Sequence, residues 1–210
     1  MTPPCLHARP RLASASILLL LICLASCDDL APLAALGSDA VILAFGDSLT
    51  YGTGAGRSES YPSVLSEMKG RKVINAGVPG EITTEAVQRL PTLLAEHKPD
   101  LVIIIHGGND MLRRMPYAKA SANLTRMINL SRDSGADVVI AGVPPPGLLL
   151  QTASFYAEVA ETTKTPINED ALASILQYPA NKSDPVHPNA KGYRMLAEEL
   201  AAVLKEGGAL

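Results

Sequence analysis

Residues 41–54 read VILAFGDSLTYGTG, the most informative segment of the chain. Its first five residues form a short, partly β-branched apolar run, which predicts a strand buried on both faces of a parallel sheet. Gly46 then allows a sharp turn, and Ser48 arrives at the carboxyl end of the strand, where open α/β sheets place their ligands. The segment therefore predicts a nucleophile at the sheet edge. An ordinary turn with a capping serine is the alternative.

Strands and helices are predicted to alternate along the rest of the chain. Further apolar runs predict strands at residues 73–77, 101–105, 138–141 and 165–167. Helical spacing of apolar residues predicts helices at about residues 61–68, 83–96, 116–132, 153–162, 168–177 and 189–205. Either Thr83 or Thr84 is expected to cap the second of these helices. The pattern predicts a three-layer α/β/α sandwich with a four- to five-stranded parallel sheet in the flavodoxin-like order 2-1-3-4-5.

The first 26 residues have the features of an export signal. Arg9 and Arg11 give them a basic start without acids, and residues 16–26 are almost wholly apolar but too short for a permanent membrane span. The residues LASC at 24–27 resemble the lipobox of bacterial lipoproteins, in which the cysteine is lipidated and the preceding segment is removed. An ordinary secretory signal cleaved nearby is the alternative. Both interpretations predict export.

This interpretation divides the chain into a signal peptide at residues 1–26, a tether at residues 27–38 and a single domain at residues 39–210. Cleavage would leave Cys27 as the one cysteine among 184 residues, so no disulfide framework is expected. We expect a periplasmic lipoprotein anchored through Cys27. Asp28 resembles an inner-membrane retention signal of enteric bacteria, a rule that varies among organisms, so the choice of inner or outer membrane stays open.

The charge of the mature chain limits its partners. The 18 basic residues fall to 16 after cleavage while the 21 acidic residues stay, which gives a net charge of −5. This mild acidity argues against nucleic acid and against an electrostatic membrane patch. Membrane attachment is therefore expected to come from acyl chains.

Three further polar clusters follow predicted strands or precede the final helix. They are NAG at residues 75–77, GGND at residues 107–110 and DPVH at residues 184–187. Because the carboxyl ends of parallel strands share one edge, the fold predicts that these clusters converge near Ser48.

With GDSL at residues 46–49, these blocks resemble the four motifs of the GDSL, or SGNH, hydrolases. The likeness covers essentially the whole mature chain, and residues 109–113 and 187–189 are typical of the thioesterase I, lysophospholipase and arylesterase-like branch. It implies an exported serine esterase that hydrolyses acyl or aryl esters or thioesters and needs no cofactor. The chain lacks the Gly-x-Ser-x-Gly elbow that an α/β-hydrolase would need.

A serine nucleophile requires a base, and His187 is the best candidate. His106 ends a strand and is the less favoured alternative. Asp184 lies three residues before His187, a spacing that allows its carboxylate to fold under the imidazole ring. A capping aspartate beside a surface histidine is the alternative. The predicted triad is Ser48, His187 and Asp184.

The family pattern implies an oxyanion hole made of the backbone N–H groups of Ser48 and Gly77 and the side-chain amide of Asn109. The amide of Asn109 can also tie loops together. Asp47 and Asp110 are expected to bond loop N–H groups rather than to act as acids. No residues have zinc-ligand spacing, so no metal is expected.

The acyl pocket is expected along the segment after the fourth strand. Its predicted lining residues are Val143, Pro144, Leu148, Phe155 and Tyr156, and ordinary core packing is the alternative for this segment. Two other functions remain open. One is a polysaccharide O-acetyl esterase or transferase, and the other is a non-catalytic, flavodoxin-like envelope lipoprotein.

Overall fold

The computed structural model describes residues 32–147 and 150–210. In these residues, one parallel sheet is formed by β1 (Val41–Gly46), β2 (Lys72–Gly77), β3 (Leu101–Ile105), β4 (Asp137–Ala141) and β5 (Ile167–Asn168). The strand order is β2-β1-β3-β4-β5. The predicted fold class and strand order are confirmed.

Helices connect the strands and cover the sheet. They are α1 (Ser48–Tyr51), α2 (Tyr61–Lys69), α3 (Thr83–His97), α4 (Gly108–Leu112), α5 (Tyr117–Asp133), α6 (Phe155–Thr163), α7 (Ala171–Gln177) and α8 (Ala190–Glu206). Short 3-10 helices occupy Arg57–Glu59 and Pro179–Asn181. The helices pack in two groups, with α3 and α6 against α5 in one and α2 and α7 against α8 in the other. Among the described residues, no helix has the length and apolarity needed to cross a membrane.

The two central strands explain why the apolar runs are continuous. All five residues of β3 are buried, and in β1 only Val41 is partly exposed. In the parallel register, Phe45 of β1 pairs with Ala76 of β2 on one side and with Ile104 of β3 on the other. A strand that is covered on both faces and paired on both edges can be apolar throughout.

Two helix ends follow the signals in the sequence, and one expected cap is absent. Gly70 ends α2 in the left-handed conformation, and Asn189 caps α8 by accepting a hydrogen bond from the Gly192 N–H. The expected threonine cap of α3 is wrong, because Ile82 occupies the capping position. The hydroxyl of Thr83 instead donates to Asp110 at 2.6 Å.

The segment before β1 is attached to the domain earlier than expected. The N–H groups of Leu33 and Leu36 donate to the carbonyls of Gly207 and Ala209 at 2.9 and 3.0 Å. Both leucine side chains are buried in the core. Residues 33–36, which the sequence analysis assigned to a tether, therefore pack against the chain that follows α8. Residues 27–31 lie outside the described residues.

Candidate active site

The turn after β1 presents Ser48 at the carboxyl edge of the sheet. Ser48 is the first residue of α1, and Asp47 caps this helix by accepting from the Leu49 N–H at 3.0 Å. Gly46 is required at the turn, because a Cβ there would collide with the Ile105 carbonyl and the Thr50 hydroxyl. Close packing of this turn against β3 thus sets the direction in which Ser48 leaves the strand.

The structure brings Ser48, His187 and Asp184 into one continuous hydrogen-bonded chain. The His187 Nε2 lies 2.9 Å from the Ser48 Oγ, and the His187 Nδ1 lies 2.7 Å from the Asp184 Oδ2. The carboxylate therefore fixes the ring proton on Nδ1 and leaves the Nε2 lone pair directed at the serine hydroxyl. This is the arrangement of a nucleophile, a base and a group that orients the base.

Asp184 is held in place by its own loop. Its Oδ1 accepts from the N–H groups of Val186 and His187, both at 2.8 Å. Burial raises the pKa of Asp184, but the hydrogen bond from the imidazole and these two backbone bonds outweigh it and lower the pKa overall. The carboxyl group is therefore ionised at neutral pH, as an acceptor of the Nδ1 proton must be.

Asn109 stands at the same edge, in the first turn of α4. Its Nδ2 donates to the Glu81 carbonyl at 3.0 Å and to the Asp47 Oδ2 at 3.2 Å. The amide thus ties together the loops after β1, β2 and β3, as the sequence alternative expected. Its use as a donor to substrate remains a prediction.

Gly77 does not have the free N–H that the sequence analysis assigned to it. Its N–H donates to the Asn75 Oδ1 at 3.0 Å, and a Cβ on Gly77 would collide with the backbone of Tyr51. It also lines a separate recess with Tyr51 and Arg57 rather than the recess at Ser48. The glycine is therefore needed for packing of α1 on β2, and its expected oxyanion role is wrong.

A different residue of the same loop has an N–H group without an acceptor. Val78 donates to the Gly46 carbonyl, Pro79 has no N–H, and Glu81 donates to the Val78 carbonyl. Among residues 78–81, all of which the structure describes, Gly80 is the one with an N–H that has no acceptor. Gly80 has a φ of 81°, as the third position of a type II turn requires after proline. The Pro-Gly pair at residues 79–80 was the sequence signal for this turn.

The two acids beside the motifs have the structural roles expected from the sequence. Asp110 is buried and accepts from the Thr83 N–H at 2.9 Å as well as from the Thr83 hydroxyl. Asp47 is 1% exposed, and its burial raises the pKa of the carboxyl group despite nearby histidines and the Leu49 N–H. Both confirm the prediction of bonds to loop N–H groups.

His106 is not available as a base. It is buried at the end of β3, and its Nε2 lies 3.1 Å from the Glu81 Oε2. Arg89 pairs with the same carboxylate through two bonds, at 2.7 and 2.6 Å. Burial raises the pKa of Glu81, but the bonds from Arg89 and His106 outweigh it and lower the pKa overall. Neither Glu81 nor Arg89 was singled out from the sequence.

The recess at Ser48 has an empty volume of about 440 Å³, including space open to solvent. It has mainly apolar walls, and Val143 and Pro144 line it as expected. Its described lining residues are Asp47, Ser48, Leu49, Gly108, Asn109, Leu112, Val143, Pro144, Pro145, Pro146, Leu150, Leu176, Pro185, Val186 and His187.

The assignment of Phe155 and Tyr156 to the pocket is wrong. Both side chains are buried, and their rings stack with centroids 4.1 Å apart. The Tyr156 hydroxyl donates to the His106 carbonyl at 2.7 Å, so Tyr156 packs against the end of β3. Leu148 lies outside the described residues. Within the described part of the chain, no three His, Cys, Asp or Glu residues form a group that could hold a metal ion.

Comparison with known proteins links this geometry to a family. The model of the GDSL-like Lipase/Acylhydrolase family matches residues 44–195. An arylesterase of Vibrio mimicus is 33% identical over 174 residues, which cover 78% of this chain and 87% of that protein. The esterase TesA of Pseudomonas aeruginosa is 32% identical over 175 residues, with coverage of 78% and 87%.

A solved structure shows the same fold. The psychrotrophic esterase EstA from Pseudoalteromonas sp., in a crystal structure inhibited by monoethylphosphonate, matches with a TM-score of 0.72 and 26% identity. The match covers 80% of this chain and 98% of that one.

Proposed function

The chain belongs to the GDSL-like lipase/acylhydrolase family and is an ester-hydrolysing enzyme, and on this premise we propose that it is an exported serine esterase with Ser48 as its nucleophile. Its substrates are acyl or aryl esters or thioesters. The observation that carries the proposal is the unbroken chain from the Ser48 Oγ through His187 to Asp184, with bonds of 2.9 and 2.7 Å. The phosphonate-inhibited EstA structure supports the same chemistry, because phosphonates are acceptors for activated nucleophiles.

The proposed reaction has two steps. In the first, the Ser48 Oγ attacks the ester carbonyl carbon while the His187 Nε2 takes the hydroxyl proton. The tetrahedral intermediate then collapses, the bond to the alcohol or thiol breaks, and His187 returns the proton to the leaving group. In the second step, water attacks the acyl carbon while His187 takes its proton. The bond to the Ser48 Oγ then breaks, His187 returns the proton to Ser48, and the acid is released. Asp184 stabilises the imidazolium throughout.

The negative charge on the carbonyl oxygen requires donors that already point at it. We assign this role to the N–H groups of Ser48 and Gly80 and to the amide of Asn109. Both backbone N–H groups lack acceptors among the described residues. The 3.2 Å bond from Asn109 to Asp47 is the longer of the two that its amide makes, and we assign that hydrogen to the oxyanion.

The lining of the recess supports an apolar acyl or aryl group. Its four polar side chains are Asp47, Ser48, Asn109 and His187, and all four are used in the hydrogen bonds described above. The other described lining residues have no polar side chain that could bind the hydroxyl groups of a glycan. This favours an acyl or aryl ester over an acetylated polysaccharide.

Substitution of Ser48 tests the proposed nucleophile. We expect S48A to lose hydrolysis of p-nitrophenyl butyrate while its melting temperature stays close to that of the wild type. The control is S58A, which removes an exposed hydroxyl from the 3-10 helix after α1. Turnover by S48A close to the wild-type rate would overturn the proposal. Parallel assays with acyl-CoA and acetylated xylan rank the substrate classes, and faster release of acetate from xylan would favour the O-acetyl esterase.

Export and lipidation are proposed from the sequence of residues 16–27. A cysteine directly after three small or apolar residues at the end of an apolar run is the feature that supports them. We expect an alkyne fatty acid fed to cells to label the wild-type protein and not C27A. Equal labelling of both, or recovery of the protein from the cytoplasm with its first 26 residues intact, would contradict the proposal.

A further inference from the structure

His106, Glu81 and Arg89 form a network behind the site that the proposed reaction does not use, in which the first two side chains are buried and Arg89 is partly exposed. The His106 side chain has an exposed fraction of 0% and that of Glu81 has 6%. The Arg89 guanidinium donates hydrogen bonds to both oxygens of the Glu81 carboxylate, and the His106 Nε2 lies 3.1 Å from the Oε2. Removing ionisable groups from water costs free energy, and the pairing of Glu81 with Arg89 and His106 offsets this cost.

The tautomer of His106 follows from its backbone contact. The Gly107 N–H donates to the His106 Nδ1 at 3.0 Å, so this nitrogen carries no proton. The ring proton is therefore on Nε2, and His106 donates it to Glu81. The main-chain carbonyl of His106 is also fixed, since it accepts from the Tyr156 hydroxyl at 2.7 Å. The residue acts as a rigid donor rather than as a base.

Glu81 and His106 are next to two of the three proposed oxyanion donors, Gly80 and Asn109, in the chain or through a hydrogen bond. The main-chain carbonyl of Glu81 accepts from the Asn109 amide at 3.0 Å, and Glu81 directly follows Gly80. His106 directly precedes the turn at Gly107, which has a φ of 110° and leads into α4 with Asn109. A shift of either residue would move a donor.

Arg89 contacts the turn after β1, which carries the third proposed donor, Ser48. Its Nη2 lies 3.4 Å from the Gly46 carbonyl, and its guanidinium lies over the Phe45 ring at 4.4 Å from the centroid. Gly46 is two residues before Ser48 in the turn after β1. The network therefore connects the ends of β1 and β3 with the loop after β2, which are the segments of Ser48, Asn109 and Gly80.

The charges of the network also suit a site that must hold an oxyanion. The Glu81 carboxylate alone would repel negative charge on the substrate oxygen, but the bidentate Arg89 neutralises it. His106 adds a donor to the same carboxylate through its Nε2. The network can therefore fix the donors without opposing the transition state electrostatically.

We infer that His106, Glu81 and Arg89 are positioning residues that hold the Ser48, Gly80 and Asn109 donors at the spacing which the oxyanion needs. This inference rests on the proposed function, since it presupposes an oxyanion formed by attack of Ser48. A network that only stabilised the fold would change the melting temperature alone. One that positions donors changes transition-state binding and leaves ground-state binding nearly constant.

The test compares H106L, which removes the donor to Glu81, with H106Q, which places an amide donor near the former Nε2. We expect H106L to lower kcat on the order of ten- to a hundredfold with little change in KM, because small displacements of positioned groups have costs of that size. H106Q should recover much of the loss. The control is H97L, a histidine substitution at the end of α3 outside the network.

The decisive readout is inhibition by an alkylboronic acid, whose serine adduct is tetrahedral and carries an oxyanion. We expect its inhibition constant to rise in H106L by the same factor as kcat/KM falls. R89K keeps the charge but loses the second hydrogen bond of the guanidinium, and it should show the same matched changes in kcat/KM and inhibition constant. If H106L does not fold, R89K is the variant that tests the inference. Wild-type kcat and boronic acid inhibition in folded H106L, or in R89K, would overturn the inference. Activity in S48A would instead overturn the proposed function.

Discussion

Replacing Asn109 by alanine separates the proposed catalytic role of this residue from its structural role. The substitution removes the amide that donates to the Glu81 carbonyl at 3.0 Å and to the Asp47 Oδ2 at 3.2 Å. Loss of one oxyanion donor costs about 2.7–4 kcal/mol of transition-state stabilisation, or a fall in kcat of about a hundred- to a thousandfold. KM should change little, because the amide acts on charge that develops only in the transition state.

N109A should also lower the folding stability, which is measured separately as a fall in melting temperature. Asp47 is 1% exposed, and its Oδ2 would lose the amide donor. A buried polar atom left without its partner costs about 1–3 kcal/mol of folding stability. At about 2–4 °C per kcal/mol for a domain of this size class, the melting temperature should fall by roughly 2–12 °C.

The assay measures kcat and KM with p-nitrophenyl butyrate at a temperature where the variant is folded, together with thermal unfolding. The control is N123A, because the Asn123 amide also donates to two protein oxygens, the hydroxyls of Thr83 and Thr84 at 2.9 and 3.2 Å. We expect N123A to lose stability but to keep kcat within a few-fold. A kcat for N109A within a few-fold of the wild type, accompanied by the fall in melting temperature, would show that Asn109 only ties loops together.

Three further substitutions test the fold around the site. G54A should lower kcat and stability together, because Gly54 has a φ of 98° and a Cβ there would collide with Ser183 in the loop before the proposed base, His187. The control for backbone strain alone is G70A, because Gly70 has a φ of 60° and open space around it. Burial raises the pKa of Glu81 but the bonds from Arg89 and His106 lower it overall, so the stability due to its ionised form is present above its ordinary value of 4.5 and is lost as the pH falls through the lower folded-state value. Urea unfolding across this acidic range should therefore show a smaller loss for E81Q than for the wild type, and equal losses would contradict the assignment. L33A should lower the free energy of unfolding by about 2–5 kcal/mol if residues 33–36 belong to the domain, whereas an unchanged urea midpoint would return them to the tether.

Much of the fold was predictable because its signals are local and agree with one another. The continuous apolar runs of β1 and β3 required burial on both faces, and alternation with helices then fixed the parallel sheet. Parallel strands share a carboxyl edge, so the convergence of Ser48, Asn109 and His187 near one recess followed from topology. The hydrogen bonds to Asp184 followed from its spacing before the histidine.

The parts that failed depend on contacts between segments distant in sequence. The N–H of Gly77 points to Asn75, which only the loop geometry reveals, while Gly80 is identified by the hydrogen bonds of its neighbours. Phe155 and Tyr156 have the composition of a pocket wall but pack under the end of β3. An apolar side chain carries no local sign of whether it faces a cavity or the core.

The network of His106, Glu81 and Arg89 was missed for the same reason. An arginine on a helix and a glutamate in a loop are ordinarily surface residues, and nothing in their neighbourhood in the sequence indicates a pair. Arg89 and Glu81 meet His106 only because α3 packs beside the ends of β1 and β3. The sequence analysis considered His106 only as a less favoured base, and it did not identify Glu81 as its partner.

Trapping of the acyl-enzyme tests the central claim most directly. The enzyme is mixed with excess p-nitrophenyl butyrate, quenched in acid during turnover, digested and analysed by mass spectrometry. We expect a butyryl group on the peptide containing Ser48, and none in S48A or in unreacted enzyme. Continued release of p-nitrophenol by the wild-type enzyme with the butyryl group on a residue other than Ser48, or undiminished release by S48A, would contradict the account.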